Sequence, residues 1–144
     1  MTTTTLNDAA IAPRRPSKPA AITGWVITGL LVLMFGAGGI YTIFNPRMMN
    51  EGLAQQGFPP SAGKVLIAIE IVCAVLYAIP RTAMLGAILF TGFFGGAVCV
   101  HVRLNDGMWF IPAIFGVLTW LALYLRDLRV RALIPLRQPT PRHA

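Results

Sequence analysis

Four apolar runs, at about 22–44, 63–79, 83–102 and 109–125, are separated by short polar or proline-containing breaks. A helix rises ~1.5 Å per residue and a bilayer's hydrocarbon core is ~30 Å thick, so the first run is long enough to cross it. The second run is short. Asn45-Pro46 ends the first run, because a residue before proline is pushed out of the α region. Gly57-Phe58-Pro59-Pro60 reads as a rigid turn, with Ser61 as N-cap of the next helix and a short interfacial helix over 50–56 before it. Pro80-Arg81-Thr82 and the polar stretch Arg103-Leu104-Asn105-Asp106-Gly107 form the remaining turns. Pro112 falls in the first turn of the last helix, where a missing N–H costs little. The pattern predicts an all-α protein, a four-helix transmembrane bundle running up-down-up-down, since short connections make successive helices antiparallel neighbours. The segments are a basic N-terminal tail over 1–21, mobile for want of apolar periodicity, the helical domain over 22–125, and a basic C-terminal tail over 126–144.

Composition strengthens that reading. Of 144 residues, 56% are hydrophobic and only 12% charged, against roughly a quarter charged in soluble domains. The first run is too long for a signal-peptide core of ~7–15 residues and is expected to stay as an anchor. The net charge of +7 sits mostly outside the runs. Arg14, Arg15 and Lys18 precede the first, and Arg126, Arg129, Arg131, Arg137 and Arg142 follow the last. Cationic flanks of this kind meet anionic lipid headgroups, and no nucleic-acid-binding signature accompanies them, so nucleic acid is not an expected partner. The positive-inside rule places both tails and Arg81 on the cytoplasmic side of the cell (inner) membrane, which requires an even number of spans. Trp25, Trp120 and Tyr124 serve as anchors at the inner boundary and Trp109 at the outer one.

Among candidate chemical groups, Glu70 stands out. It lies six positions past Lys64, about 9 Å deeper along its helix. A lipid-facing carboxylate there is costly, so Glu70 should face the interior, bind a proton or ligand, or pair. His101 and Arg103, closing the third helix at the outer boundary, are the expected partners, and Tyr41 and Asn45 fall on one face of the first helix near the same level. The five would form an outward-facing polar cluster, either a ligand site or an interhelical clasp. Gly92 and Gly96 form a G-x-x-x-G stripe on the face opposite His101, and Gly29, Gly36 and Gly39 stripe the first helix; such stripes let helices approach closely, within the bundle or between protomers. Cys73 and Cys99 lack C-x-x-C spacing and read as small apolar core residues; no metal site is expected. No nucleotide-binding loop, nucleophile elbow or zinc-protease motif is present.

Three stretches carry a resemblance: Leu66-Ile67-Ala68-Ile69-Glu70, then 78–87 around Pro80-Arg81-Thr82, then 95–103 ending His101-Val102-Arg103. With Asn45-Pro46 closing the first helix and Tyr124-Leu125-Arg126-Asp127 the fourth, the chain over about 22–136 resembles the DoxX-like family of small four-helix membrane proteins. The resemblance implies attention to Glu70, His101 and Arg103. It also implies a link to membrane redox work, because the family takes its name from a subunit of a thiosulfate:quinone oxidoreductase. Two functions follow as expectations. One is a non-enzymatic bundle that binds an apolar or quinone-like ligand, or scaffolds partner subunits or further copies of itself in the bilayer. The other is a membrane subunit of an oxidoreductase that handles quinone or sulfur-compound electrons. The first is preferred, since no set of electron-carrying residues is visible; a quinone is the candidate cofactor.

Overall fold

The structure, a computed structural model, describes residues 17–133 and is helical throughout apart from its turns. The chain forms α1 (Lys18–Phe44), α2 (Pro46–Gln55), α3 (Ala62–Ala78), α4 (Ala83–Leu104), α5 (Phe110–Arg126) and α6 (Leu128–Leu133). The four long helices start and stop close to the apolar runs, because the breakers act where the sequence puts them. The Asn45 N–H bonds the Thr42 carbonyl, and Pro46 opens α2 at once. Ile79 is extended ahead of Pro80. Asn105 closes α4 in the left-handed conformation (φ 53°), which asparagine tolerates better than most residues.

Some local expectations need correction. Ser61 is itself helical and makes no side-chain cap; the α3 N–H groups of Ala62 and Gly63 bond instead to the carbonyls of Pro59 and Pro60. The interfacial helix begins four residues before 50, because Pro46 suits a first helical turn. The C-terminal segment is not all tail: the Asp127 carboxylate accepts the Arg129 N–H at 2.8 Å and starts α6, whose Val130 is buried. The expected N-terminal tail over 1–16 and the residues from 134 onward lie outside the described residues.

Named contacts give the directions of the helices. Gly36 and Gly39 of α1 face Ala74 and Ile71 of α3, and Gly24 faces Ala122 and Arg126 of α5. Trp120 of α5 donates its indole N–H to the Thr91 hydroxyl of α4 at 2.9 Å, and Gly116 meets Phe94. Each such pair runs antiparallel. The core is aromatic where all four meet. Phe35 of α1 lies 5.0 Å from Phe94 and 5.3 Å from Phe115 between ring centroids, and Phe90 stacks on Phe94 at 5.2 Å. Tyr77 of α3 meets Phe90 edge-on at 5.7 Å.

The outer surface is also apolar. Leu33 is 66% exposed and Val117 67%, with Leu30, Val72 and Ile114 exposed beside them. Contiguous apolar exposure of this kind marks an interaction surface. Two helices, α1 and α4, are long and apolar enough to cross a membrane, and α5 is a shorter apolar helix. The chain is a membrane protein.

Candidate functional site

The turn at 79–82 and the turn at 105–109 mark opposite ends of the long helices, called here the Pro80 end and the Asp106 end. The Asp106 end holds the groups singled out from the sequence, and the structure divides them into separate environments.

Glu70 is half-buried and lines a cavity of about 390 Å³ between α1, α2 and α3, with Tyr41, Met48, Met49 and Leu53 among its walls. An imagined Cβ on Gly39 would sit 3.4 Å from its carboxylate, so the absence of a side chain there gives Glu70 its room. Among the described residues no hydrogen bond or ion pair reaches Glu70. Its expected partners are engaged elsewhere. The Arg103 guanidinium donates to the Gln56 carbonyl and lies over the Phe58 ring at 6.0 Å. His101 pairs through Nδ1 with the Asp106 carboxylate at 2.7 Å. Asn45 turns back to donate to the Tyr41 carbonyl at 2.9 Å. The five residues therefore do not line one cavity. Tyr41 shares the Glu70 cavity, whereas His101, Arg103 and Asn45 do not line it. The reason is local: a carboxylate five residues along and a carbonyl of the α2–α3 turn lie within reach without deep insertion of a charge.

His101 instead closes one end of a second cavity, of about 520 Å³, between α3, α4 and the α2–α3 turn. Leu66 and Ile69 of α3 and Ile88, Gly92, Phe93 and Gly96 of α4 form most of its wall. Gln56 and His101 are the polar residues on it. From Ile88 to His101 it follows α4 for roughly 20 Å at ~1.5 Å per residue. Leu66 and Gln56 also border the Glu70 cavity, so they form the partition between the two. The glycine face and His101, expected on opposite sides of α4, border one cavity at its two edges. An added Cβ on Gly92, Gly95 or Gly96 would meet nothing within 4 Å. These glycines leave space instead of bringing helices together. Gly29 of α1 is equally open.

The Asp106 carboxylate has two jobs. One oxygen accepts the Met108 N–H at 2.8 Å and the other faces His101. These bonds, the Met108 N–H first and His101 after it, hold its pKa below the ordinary 3.8. An ionised carboxylate only accepts, so the imidazole must place a proton on Nδ1.

The Pro80 end carries a group that sequence reasoning assigned only to topology. Arg126 lies between two rings, 4.6 Å from the centroid of Trp25 and 4.9 Å from that of Tyr77. Its Nη2 donates to the Tyr77 carbonyl at 2.9 Å, while Nε and Nη1 are buried without a hydrogen-bond partner among the described residues. The Tyr77 hydroxyl crosses to the Thr119 carbonyl at 2.7 Å. The one available signal was Trp25, Tyr77 and Arg126 each standing one or two turns from the same end. Cys73 is buried in the core, but Cys99, expected there too, is exposed on α4. Among the described residues no three His, Cys, Asp or Glu side chains gather where a metal could bind.

A family model described as the DoxX-like family matches residues 26–122, from the first part of α1 nearly to the end of α5. No curated protein and no solved structure matches the chain.

Proposed function

This chain belongs to the DoxX-like family, and from that premise we propose that it is a multi-pass protein of the cell membrane that binds a membrane-soluble molecule with a long apolar part and a hydrogen-bonding head. α1, α3, α4 and α5 are the four spans. Both termini and the Pro80 end face the cytoplasm, where Arg81, Arg126, Arg129 and Arg131 satisfy the positive-inside rule. α2 lies along the outer boundary, with Leu53 turned inward. α3 and α5, at 17 residues each, are the shortest of the four, and Lys64 near the start of α3 reaches the headgroups by extending its chain.

The observation that carries the reading is the α3–α4 cavity. Its walls are apolar over most of the length of α4, and its polar residues, Gln56 and His101, sit at the outer end. That arrangement accepts a chain from the bilayer and holds its head at the boundary. A volume of about 520 Å³ falls within the range of small-molecule sites, ~300–1,000 Å³. Exposed Ile69, Ile88 and Leu89 on its walls leave a lateral approach from lipid. A quinone satisfies this description, as do other lipids with a compact polar head.

Purification from native membranes, followed by extraction and mass analysis of what travels with the protein, tests the reading. A stoichiometric lipid-soluble molecule, lost in Gly92→Leu, is the expected result. Gly92→Leu fills the cavity from a position where the backbone leaves room. A stoichiometric haem or flavin would move the assignment to the oxidoreductase subunit. Recovery of only bulk lipid, identical in both proteins, would remove the binding reading. For the topology, single cysteines at Ser61 and Asn105, in a chain lacking Cys73 and Cys99, should react with an impermeant reagent from outside intact cells. One at Thr82 should not.

A further inference from the structure

We propose that the α3–α4 cavity selects a ligand whose head donates a hydrogen bond, a phenol or alcohol hydroxyl, and that the His101–Asp106 pair is the acceptor that reads it. The inference rests on the cavity being a ligand site and adds the class of head it takes.

His101 Nδ1 lies 2.7 Å from Asp106 Oδ2. A carboxylate offers no proton, so in the neutral imidazole the N–H must be on Nδ1 and the lone pair on Nε2. Asp106 is itself fixed by the Met108 N–H, in the turn that the left-handed Asn105 creates. The tautomer is therefore set by backbone geometry before any ligand arrives. The nitrogen not used by Asp106 belongs to the ring that borders the cavity. An acceptor at the end of an otherwise apolar chamber rewards a donor. A head that only accepts, such as an ether or ketone, would set its lone pair against that of Nε2 and leave Nε2 without a donor.

Gln56 completes the pair. It borders the same end of the cavity, and its carboxamide N–H can donate to the ligand oxygen while that oxygen donates to Nε2. A hydroxyl meets both demands with one atom. The charged groups around this end are directed elsewhere. Arg103 is bound to the Gln56 carbonyl, and Asp106 is the carboxylate that faces His101. Glu70 opens into the neighbouring cavity across Leu66.

The test compares two probes of one shape, 4-nonylphenol and its methyl ether, binding to the full chain in lipid nanodiscs. Affinities are corrected for partition into empty discs. The expected result is a preference for the phenol of about tenfold, the worth of one buried hydrogen bond. That preference should fall to about unity in His101→Phe, which removes the acceptor and keeps a ring. Asp106→Asn supplies a variant that keeps the imidazole. An amide can donate to Nδ1 and release the tautomer, so the phenol preference should shrink there too while both probes still bind. Equal binding of the two probes, with both lost in Gly92→Leu, would overturn the hydroxyl selection and leave the cavity as a ligand site. Binding of neither probe would overturn both. A phenol preference unchanged in His101→Phe and Asp106→Asn would place its origin elsewhere and also overturn the proposal.

Discussion

The two ends of this bundle use the same kinds of residue to opposite purposes. At the Pro80 end an arginine, a tyrosine and a tryptophan are pressed together, and two guanidinium nitrogens have no hydrogen-bond partner among the described residues. Backbones there approach so closely that a Cβ on Gly86 would stand 2.4 Å from the Tyr77 nitrogen. At the Asp106 end a histidine and a glutamate border open space, and a Cβ added on any of three glycines of α4 would meet nothing within 4 Å. Polar groups at one end lock helices together, and at the other they line rooms. The difference teaches that a polar residue in a membrane helix is not by itself a sign of function; the space beside it decides.

The largest expected effect comes from exchanging these two kinds of glycine. Gly86→Leu drives a side chain into the α3 backbone and should cost about 3 kcal/mol. Gly92→Ala should be neutral or should stabilise by up to about 1 kcal/mol, since it meets nothing and favours helix. Thermal unfolding in detergent micelles compares them. Equal losses at the two positions would erase the distinction between the ends.

Arg126→Met sharpens the picture of the locked end. It removes the contact with two aromatic faces and the bond to the Tyr77 carbonyl, but also the two unpartnered nitrogens. A net loss of about 2 kcal/mol is expected in the same unfolding measurement. A more stable protein would mean that those buried donors dominate. Glu70→Gln, in the roomy half, should change stability by no more than about 0.5 kcal/mol, because no partner is left behind. A loss beyond about 2 kcal/mol would reveal an ion pair with Glu70.

The smallest effect is a pH response confined to the turn after α4. Asp106 has a pKa lowered in the folded state, so its contribution is complete above the ordinary value of 3.8. It is lost only as pH falls below that value and through the depressed one. The Met108 amide signal in nuclear magnetic resonance should therefore titrate with a midpoint under 3.8. A midpoint above 3.8 would contradict the bonds assigned to that carboxylate.

The sequence made the helices legible because their breakers are strong. Asn45-Pro46, Pro80 and Asn105 stop helices wherever they stand, and hydropathy marks what lies between. The place of Glu70 along its helix was readable from its distance to Lys64. Its partner was not, because spacing along one helix says nothing of how a neighbour is rotated or where a turn such as 56–58 folds over. Asp106 was within view, five residues past His101, but its pairing depends on the left-handed Asn105 that bends the chain back. Gly92 and Gly96 meet no neighbouring helix within the chain, for a physical reason: an absent side chain permits close packing and permits a cavity equally well. Arg126 looked like a topology charge because its rings come from α1 and α3, far away in sequence.

Photolabelling tests the contrast between the ends most directly. A diazirine placed on the alkyl chain of 4-nonylphenol, photolysed with the protein in nanodiscs and mapped by tandem mass spectrometry, reports where the chain rests. The account predicts adducts concentrated on Leu66, Ile69 and the 92–97 stretch of α4, competed by unlabelled phenol, with none around Tyr77 and Arg126. Labelling spread evenly over exposed apolar residues such as Leu30, Val72 and Val117, and not competed, would contradict it.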